Sequence, residues 1–208
     1  MNSAPSEVAS ATDFQDLVVR TEGLQPWRRV FHAASGVLLA ITVGALGPGS
    51  TATRALLAFA VVFGVVLDIV RLNSLATNRW FFRRFSALVS PREAAGVASS
   101  TWYVVGVLLV QLTMPAAFLV PSILVLALAD PAASVVGRVW GRRPLGKGSV
   151  EGALTFWVVA TATMAPTAGV PKALGAAALV AICEVLPTKA DDNLLIPIVA
   201  ALALWMMG

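Results

Sequence analysis

The sequence predicts an all-α, polytopic helical bundle with about seven membrane-spanning segments, and three features carry that expectation. Of its 208 residues, 58% are hydrophobic and 12% are charged, about half the charged share usual in soluble domains. The apolar residues fall in long runs joined by short connectors, which suits one bundle better than one or two soluble domains. The connectors are alternately rich and poor in Lys and Arg, as topology in a membrane requires.

Residues 1–27 form a polar leader. Glu7, Asp13, Asp16 and Glu22, and the lack of a basic start ahead of an apolar core, distinguish it from a secretory signal peptide. It is therefore expected to remain in the mature protein, either as a short surface helix, which the spacing of Phe14, Leu17 and Val18 suits, or as a mobile leader. Residues 28–208 follow as one domain, with apolar segments at Val30–Leu46, Ala55–Val70, Ala95–Thr113, Pro115–Val136, Val150–Ala168, Lys172–Leu186 and Asn193–Met207. A spanning helix needs about 17 to 25 residues, so the last two, at about fifteen each, read as tilted or half-buried. The connector 72–94 interleaves Trp80, Phe81, Phe82 and Phe85 with Arg79, Arg83 and Arg84, the pattern of a helix lying at a lipid headgroup layer. No internal repeat is evident, which argues against a transporter built from inverted repeats.

With seven spans, thirteen of the fifteen Lys and Arg residues fall on one side and only Arg54 and Lys172 on the other. This places the N-terminus inside and the C-terminus outside, with the inner membrane of a bacterium as the expected location. The net charge of +4 is explained by topology. A nucleic-acid partner is not expected, because no free basic arm or aromatic-basic face is present. Cys183 is the only cysteine, which excludes an intramolecular disulfide and a cysteine-based metal site.

A carboxylate at mid-membrane costs roughly 2.5–3.5 kcal/mol, so the positions of the acids are informative. Asp68, Asp130, Glu151, Glu184, Asp191 and Asp192 all fall at or near segment ends on the arginine-rich side. Structural ion pairing is the plain explanation, and Asp68 and Glu184 fit it best. The densest stretch runs from Asp130 through Ser134, Gly137, Arg138, Gly141, Arg142, Arg143, Gly146, Lys147, Gly148 and Ser149 to Glu151. Its glycines allow backbone N–H groups to approach an anion, and its cations supply countercharge for a di- or triphosphate. Asp130 and Glu151 are oxygen donors suited to Mg²⁺, which usually takes one or two carboxylates plus substrate phosphates. A true P-loop is excluded, since Gly148 stands where Ser or Thr must follow the lysine and a membrane helix, not a strand, precedes the loop.

Asp130-Pro-Ala-Ala-Ser134-Val-Val-Gly137-Arg138-Val-Trp-Gly141, followed by Gly148-Ser149-Val-Glu151-Gly152, resembles the core motif of the polyprenol kinase family, which includes dolichol, phytol and CTP-dependent diacylglycerol kinases. Arg28-Arg29-Val-Phe-His32 is similar to that family's basic-x-x-His element, and Asp191-Asp192-Asn193-Leu-Leu-Ile-Pro197 to its Asp-Asn-x-x-x-Pro element. The resemblance runs from about residue 28 to the end, with Lys147 one position earlier than the family's usual lysine. It implies transfer of the γ-phosphate of a nucleoside triphosphate, usually CTP, to the hydroxyl of a membrane lipid alcohol.

Under that resemblance Mg²⁺ would be held by Asp130 with Asp192 or Asp191, while Arg138, Arg142 and Lys147 offset charge on the transferring group. Alternatively, Asp130 or Asp191 would orient the hydroxyl or take its proton, with Glu151 at the same site. Gly137, Gly141 and Ser149 would line the nucleotide. His32 is either a phosphate contact or base, or a structural histidine; Asn193 either binds nucleotide or begins the last helix. Two rival functions remain: a phosphatidate cytidylyltransferase, which shares an Asp…Gly-Arg-x-x-Gly…Glu-Gly segment but not the features after Gly152, and a non-catalytic membrane subunit or small transporter.

Overall fold

A computed structural model describes residues 14–21, 23 and 25–208; Glu7, Asp13 and Glu22 of the leader lie outside them. Residues 14–19 are helical (α1). The chain then forms α2 (Pro26–Leu46), α3 (Thr51–Leu72), α4 (Leu75–Arg84) and α5 (Ser99–Thr113). Next comes a continuous rod made of a short 3₁₀ turn, α6 (Leu119–Leu124), a π-helical segment (Val125–Ala129) and α7 (Asp130–Val139). A hairpin of β1 (Pro144–Leu145) and β2 (Gly148–Ser149) leads into α8 (Val150–Ala168), α9 (Val170–Val185) and α10 (Asp192–Met207). The described residues are thus mostly helical, as expected, and the hairpin is a small departure from the all-α expectation.

Three stretches, Pro26–Leu46, Thr51–Leu72 and Ala116–Val139, are long and apolar enough to cross a membrane. Their surroundings differ. The last is central and largely enclosed, with Leu119, Ile123, Val125 and Leu126 fully buried. In contrast α3 turns Phe59, Val62, Phe63, Val66 and Ile69 outward. An apolar surface of that size suits lipid rather than water.

Several boundaries differ from expectation, each for a local reason. Helix α2 begins four residues early, because Pro26 sits in the first turn, where its missing N–H costs nothing. The expected third segment loses Ala95–Ala98, whose backbone is held by side chains of α3 instead. Arg71 donates to Glu93 O and Gly96 O, both at 2.6 Å, and Ala98 N donates to Asp68 Oδ2 at 3.1 Å. Asp68 and Arg71 are paired at 2.7 Å and almost fully buried, which confirms the ion-pair reading of Asp68.

The leader is not detached. Phe14 meets Phe82 edge-on with ring centroids 5.3 Å apart, Thr21 is buried, and Gln25 Nε2 donates to Val89 O at 2.8 Å. The aromatic connector helix α4 likewise buries Phe82 completely while exposing Trp80.

Candidate functional site

Helices α2, α5, α8 and α10 start, and α3, α7 and α9 finish, at one end of the bundle, where two cavities of ≈ 380 Å³ and ≈ 410 Å³ lie side by side. Arg92, Asp130, Ser134, Arg138 and Asp192 line both, so they are two lobes of one site. The first lobe adds Arg28, Arg29 and His32 from α2, Ser99 from α5, and Asp191 and Asn193 from α10. The second adds Gly137, Lys147, Ser149 and Glu184. Residues more than 160 positions apart in sequence therefore meet around Asp130.

Asp130 opens α7 directly after the π-helical segment, ahead of Pro131. Proline supplies no N–H to the preceding turn, and π segments in α-helices are frequent at functional sites. The carbonyls there are met by side chains from neighbouring helices: His32 Nε2 lies 3.2 Å from Leu126 O, and Tyr103 Oη donates to Ile123 O at 3.4 Å. Bonding to a carbonyl fixes Nε2 as the protonated nitrogen and leaves Nδ1 the acceptor in a neutral ring. His32 also stacks on Tyr103, centroids 5.3 Å apart. It thus supports the segment that presents Asp130 while lining the first lobe.

The three candidate metal carboxylates have different partners. Asp191 caps α10: its Oδ1 accepts from Asn193 N at 2.9 Å and Asn193 Nδ2 at 2.7 Å. The cap is therefore Asp191, and Asn193 is the second residue of the helix rather than its first. Asp192 pairs with Lys147, tying the hairpin turn to α10. Asp130 accepts a hydrogen bond from no described residue. No group of three metal-ligating side chains occurs among the described residues, so any cation here would draw the rest of its coordination from phosphate or water.

The glycine-rich loop departs from the expected phosphate cradle because the amides of Arg142, Arg143 and Lys147 are already used. Arg142 N and Arg143 N donate to Glu151 Oε2, at 3.1 and 3.4 Å, and Lys147 N donates to Val185 O at 3.0 Å. Gly152 N donates to Ser149 Oγ at 3.1 Å, which makes Ser149 the N-cap of α8. Glu151, Gly141 and Arg142 line neither lobe, a correction to their expected roles. The glycines serve packing: a Cβ on Gly141 would strike Gly137 O, and one on Gly146 would strike Val185 O.

Gly146 also has φ +55°, at the first position of a two-residue hairpin turn that favours glycine. Gly146→Ala is expected to lower the thermal midpoint by several degrees and to free Lys147 from Asp192. Thermal unfolding in detergent measures the first, and accelerated trypsin cleavage at Lys147 the second.

Sequence reasoning missed Arg92, Ser99 and Gln25 as site residues. Arg92 counted only toward topology, and no spacing links it to Asp130. It is exposed and engages no described partner. Beside it Glu93 is buried and takes bonds from Arg28 Nη2 at 3.3 Å and Ser99 Oγ at 3.1 Å. Burial pushes the Glu93 carboxyl above its ordinary range, and Arg28 opposes the rise. Compared with known proteins, the chain matches no family model, no curated sequence and no solved structure.

Proposed function

We propose that the chain is a membrane lipid-alcohol kinase that transfers the γ-phosphate of a nucleoside triphosphate, CTP foremost, to an isoprenoid alcohol or diacylglycerol. One observation carries the reading: Asp130, to which no described residue donates a hydrogen bond, lies where two polar lobes meet, among cations from α2, α7, the 91–94 turn and the hairpin. Two adjoining lobes suit two reactants, and a half-buried carboxylate between them suits the point of transfer. Asp130 and Asp192 are the residues to hold Mg²⁺, which when bound neutralises charge on the phosphates.

Within that proposal the lipid hydroxyl oxygen forms the new bond to the γ-phosphorus as the bond to the β–γ bridging oxygen breaks. Asp130 takes the hydroxyl proton, and the nucleoside diphosphate leaves with the bridging oxygen's electron pair. Asp191 is the weaker candidate for base, since Asn193 already occupies one of its oxygens. Arg138 balances charge on the transferring group, and Lys147 stays paired with Asp192.

The proposal includes seven membrane crossings with the N-terminus and the site inside, in a bacterial inner membrane, because seven crossings would put thirteen of the fifteen basic residues on that side. A lipid alcohol, its hydroxyl at headgroup depth, then meets a cytosolic nucleotide at the helix ends.

The test is turnover by protein in nanodiscs with Mg²⁺ and CTP, ATP or GTP labelled at the γ-phosphate, offered phytol, polyprenols or diacylglycerol. Label appearing on one lipid supports the proposal. CDP-lipid formed from phosphatidate instead would make the chain a cytidylyltransferase, and no product in either assay would favour a non-catalytic subunit.

A further inference from the structure

We propose that the phosphate-holding subsite of this chain is built in the first lobe by Arg29, Arg92 and Arg138, from three separate elements, and not on the glycine-rich turn. The inference rests on the kinase reading for its biological meaning, but it is a claim about anion binding that stands without turnover. The ligand class is a polyphosphate, whether part of a free nucleotide or a phosphorylated lipid headgroup.

Hydrogen-bond accounting favours the first lobe. In the turn, the amides of Arg142, Arg143 and Lys147 are all donated to protein oxygens, and the Lys147 ammonium is committed to Asp192. An anion arriving there would have to displace Glu151, a fixed negative charge on the same amides. In the first lobe the donors are held but not exhausted. Arg29 binds Ser134 Oγ through Nη2 at 2.8 Å and Nε at 3.2 Å, while its Nη1 is buried with no partner among the described residues. An enclosed guanidinium N–H without an acceptor costs free energy, which a phosphate oxygen would recover as a charge-assisted bond.

The other two arginines complete the arrangement. Arg138 spends only Nη1, on Gly23 O at 2.6 Å, which leaves four further N–H donors on a planar fork suited to phosphate. Arg92 has no described partner and lines both lobes, so it can follow a phosphate chain from the first lobe toward Asp130. Arg28 is excluded from the set, because Glu93 and Ser99 already hold it. Three arginines from α2, the 91–94 turn and α7 also explain why no contiguous phosphate motif is visible in the chain.

The experiment is equilibrium binding of labelled inorganic tripolyphosphate to purified full-length protein in nanodiscs of neutral lipid, without nucleotide or metal. Arg92→Gln, an exposed change with no described contacts to lose, is expected to weaken binding about tenfold, and Arg29→Lys by a similar factor, with the thermal midpoint of each unchanged. The pair Arg142→Gln/Arg143→Gln is expected to bind within twofold of the parent. Competition by CTP but not by a short-chain lipid phosphate assigns the lobe to nucleotide; the reverse assigns it to lipid headgroup. Loss of binding in the turn pair with Arg92→Gln unaffected would overturn the proposal, as would no tripolyphosphate binding by the parent. Absence of turnover alongside intact, Arg92-dependent binding would sink the kinase reading while leaving the subsite standing.

Discussion

Asp130→Asn is expected to lower lipid phosphorylation by about 10³-fold or more while leaving the fold intact. The magnitude follows from losing a proton acceptor, typically worth 10²–10⁴-fold, together with one negative ligand to a cation. The structural cost is small because no described residue donates to this carboxylate, so the amide displaces no existing bond. Initial rates with γ-labelled nucleotide, beside the thermal midpoint in the same detergent, measure both. Activity within tenfold of the parent would remove Asp130 from the chemistry. A matching collapse of stability would instead mark it as a structural acid.

The helices were legible in the chain because each apolar run is bounded by polar or Gly/Pro-containing connectors, although only Pro26–Leu46, Thr51–Leu72 and Ala116–Val139 are long and apolar enough to cross a membrane. What escaped notice is what depends on contacts between runs. Ala95–Ala98 reads as the start of a helix, but the Asp68 carboxylate and the Arg71 guanidinium, both from α3, hold its backbone. The π-helical turn at Val125–Ala129 has no compositional mark. It is readable afterwards from Pro131 and from His32 and Tyr103, which meet the carbonyls of Leu126 and Ile123.

The site was legible where charge alone is informative. Asp130, Arg138, Lys147, Asp191, Asp192, Asn193 and His32 converge as their positions at segment ends implied. Glu151, Arg142 and Gly141 do not, because adjacency in sequence says nothing about which amides a loop has already spent. Glu151 stands nine residues after Arg142 and turns back to bind its N–H. Arg92 had the opposite fate: nothing near it in sequence is unusual, and only the clamp on residues 93–98 delivers it to the lobes.

That clamp yields the second large effect. Asp68→Ala is expected to destabilise the protein by about 3–5 kcal/mol, since it leaves the Arg71 guanidinium buried without its counter-ion. Asp68 also accepts from Thr101 Oγ1 at 2.7 Å and from Ala98 N, and Arg71 lies with Cζ 5.1 Å from the Phe81 ring centroid, so three elements lose their junction together. The double variant Asp68→Ala/Arg71→Met should recover part of that loss, because it removes the uncompensated buried guanidinium, though Ala98 N, Thr101 Oγ1 and the carbonyls of Glu93 and Gly96 still lose their partners. It should not recover ligand binding. Met cannot donate to Glu93 O and Gly96 O, so the turn that carries Arg92 stays unfastened even in a stable protein. Thermal midpoints and tripolyphosphate affinity, measured on both single variants and the double, separate the two roles through their coupling. Joint recovery of stability and affinity would show that the ion pair only holds α3 to α5, whereas stability restored without affinity would make Asp68 and Arg71 positioning residues for the site.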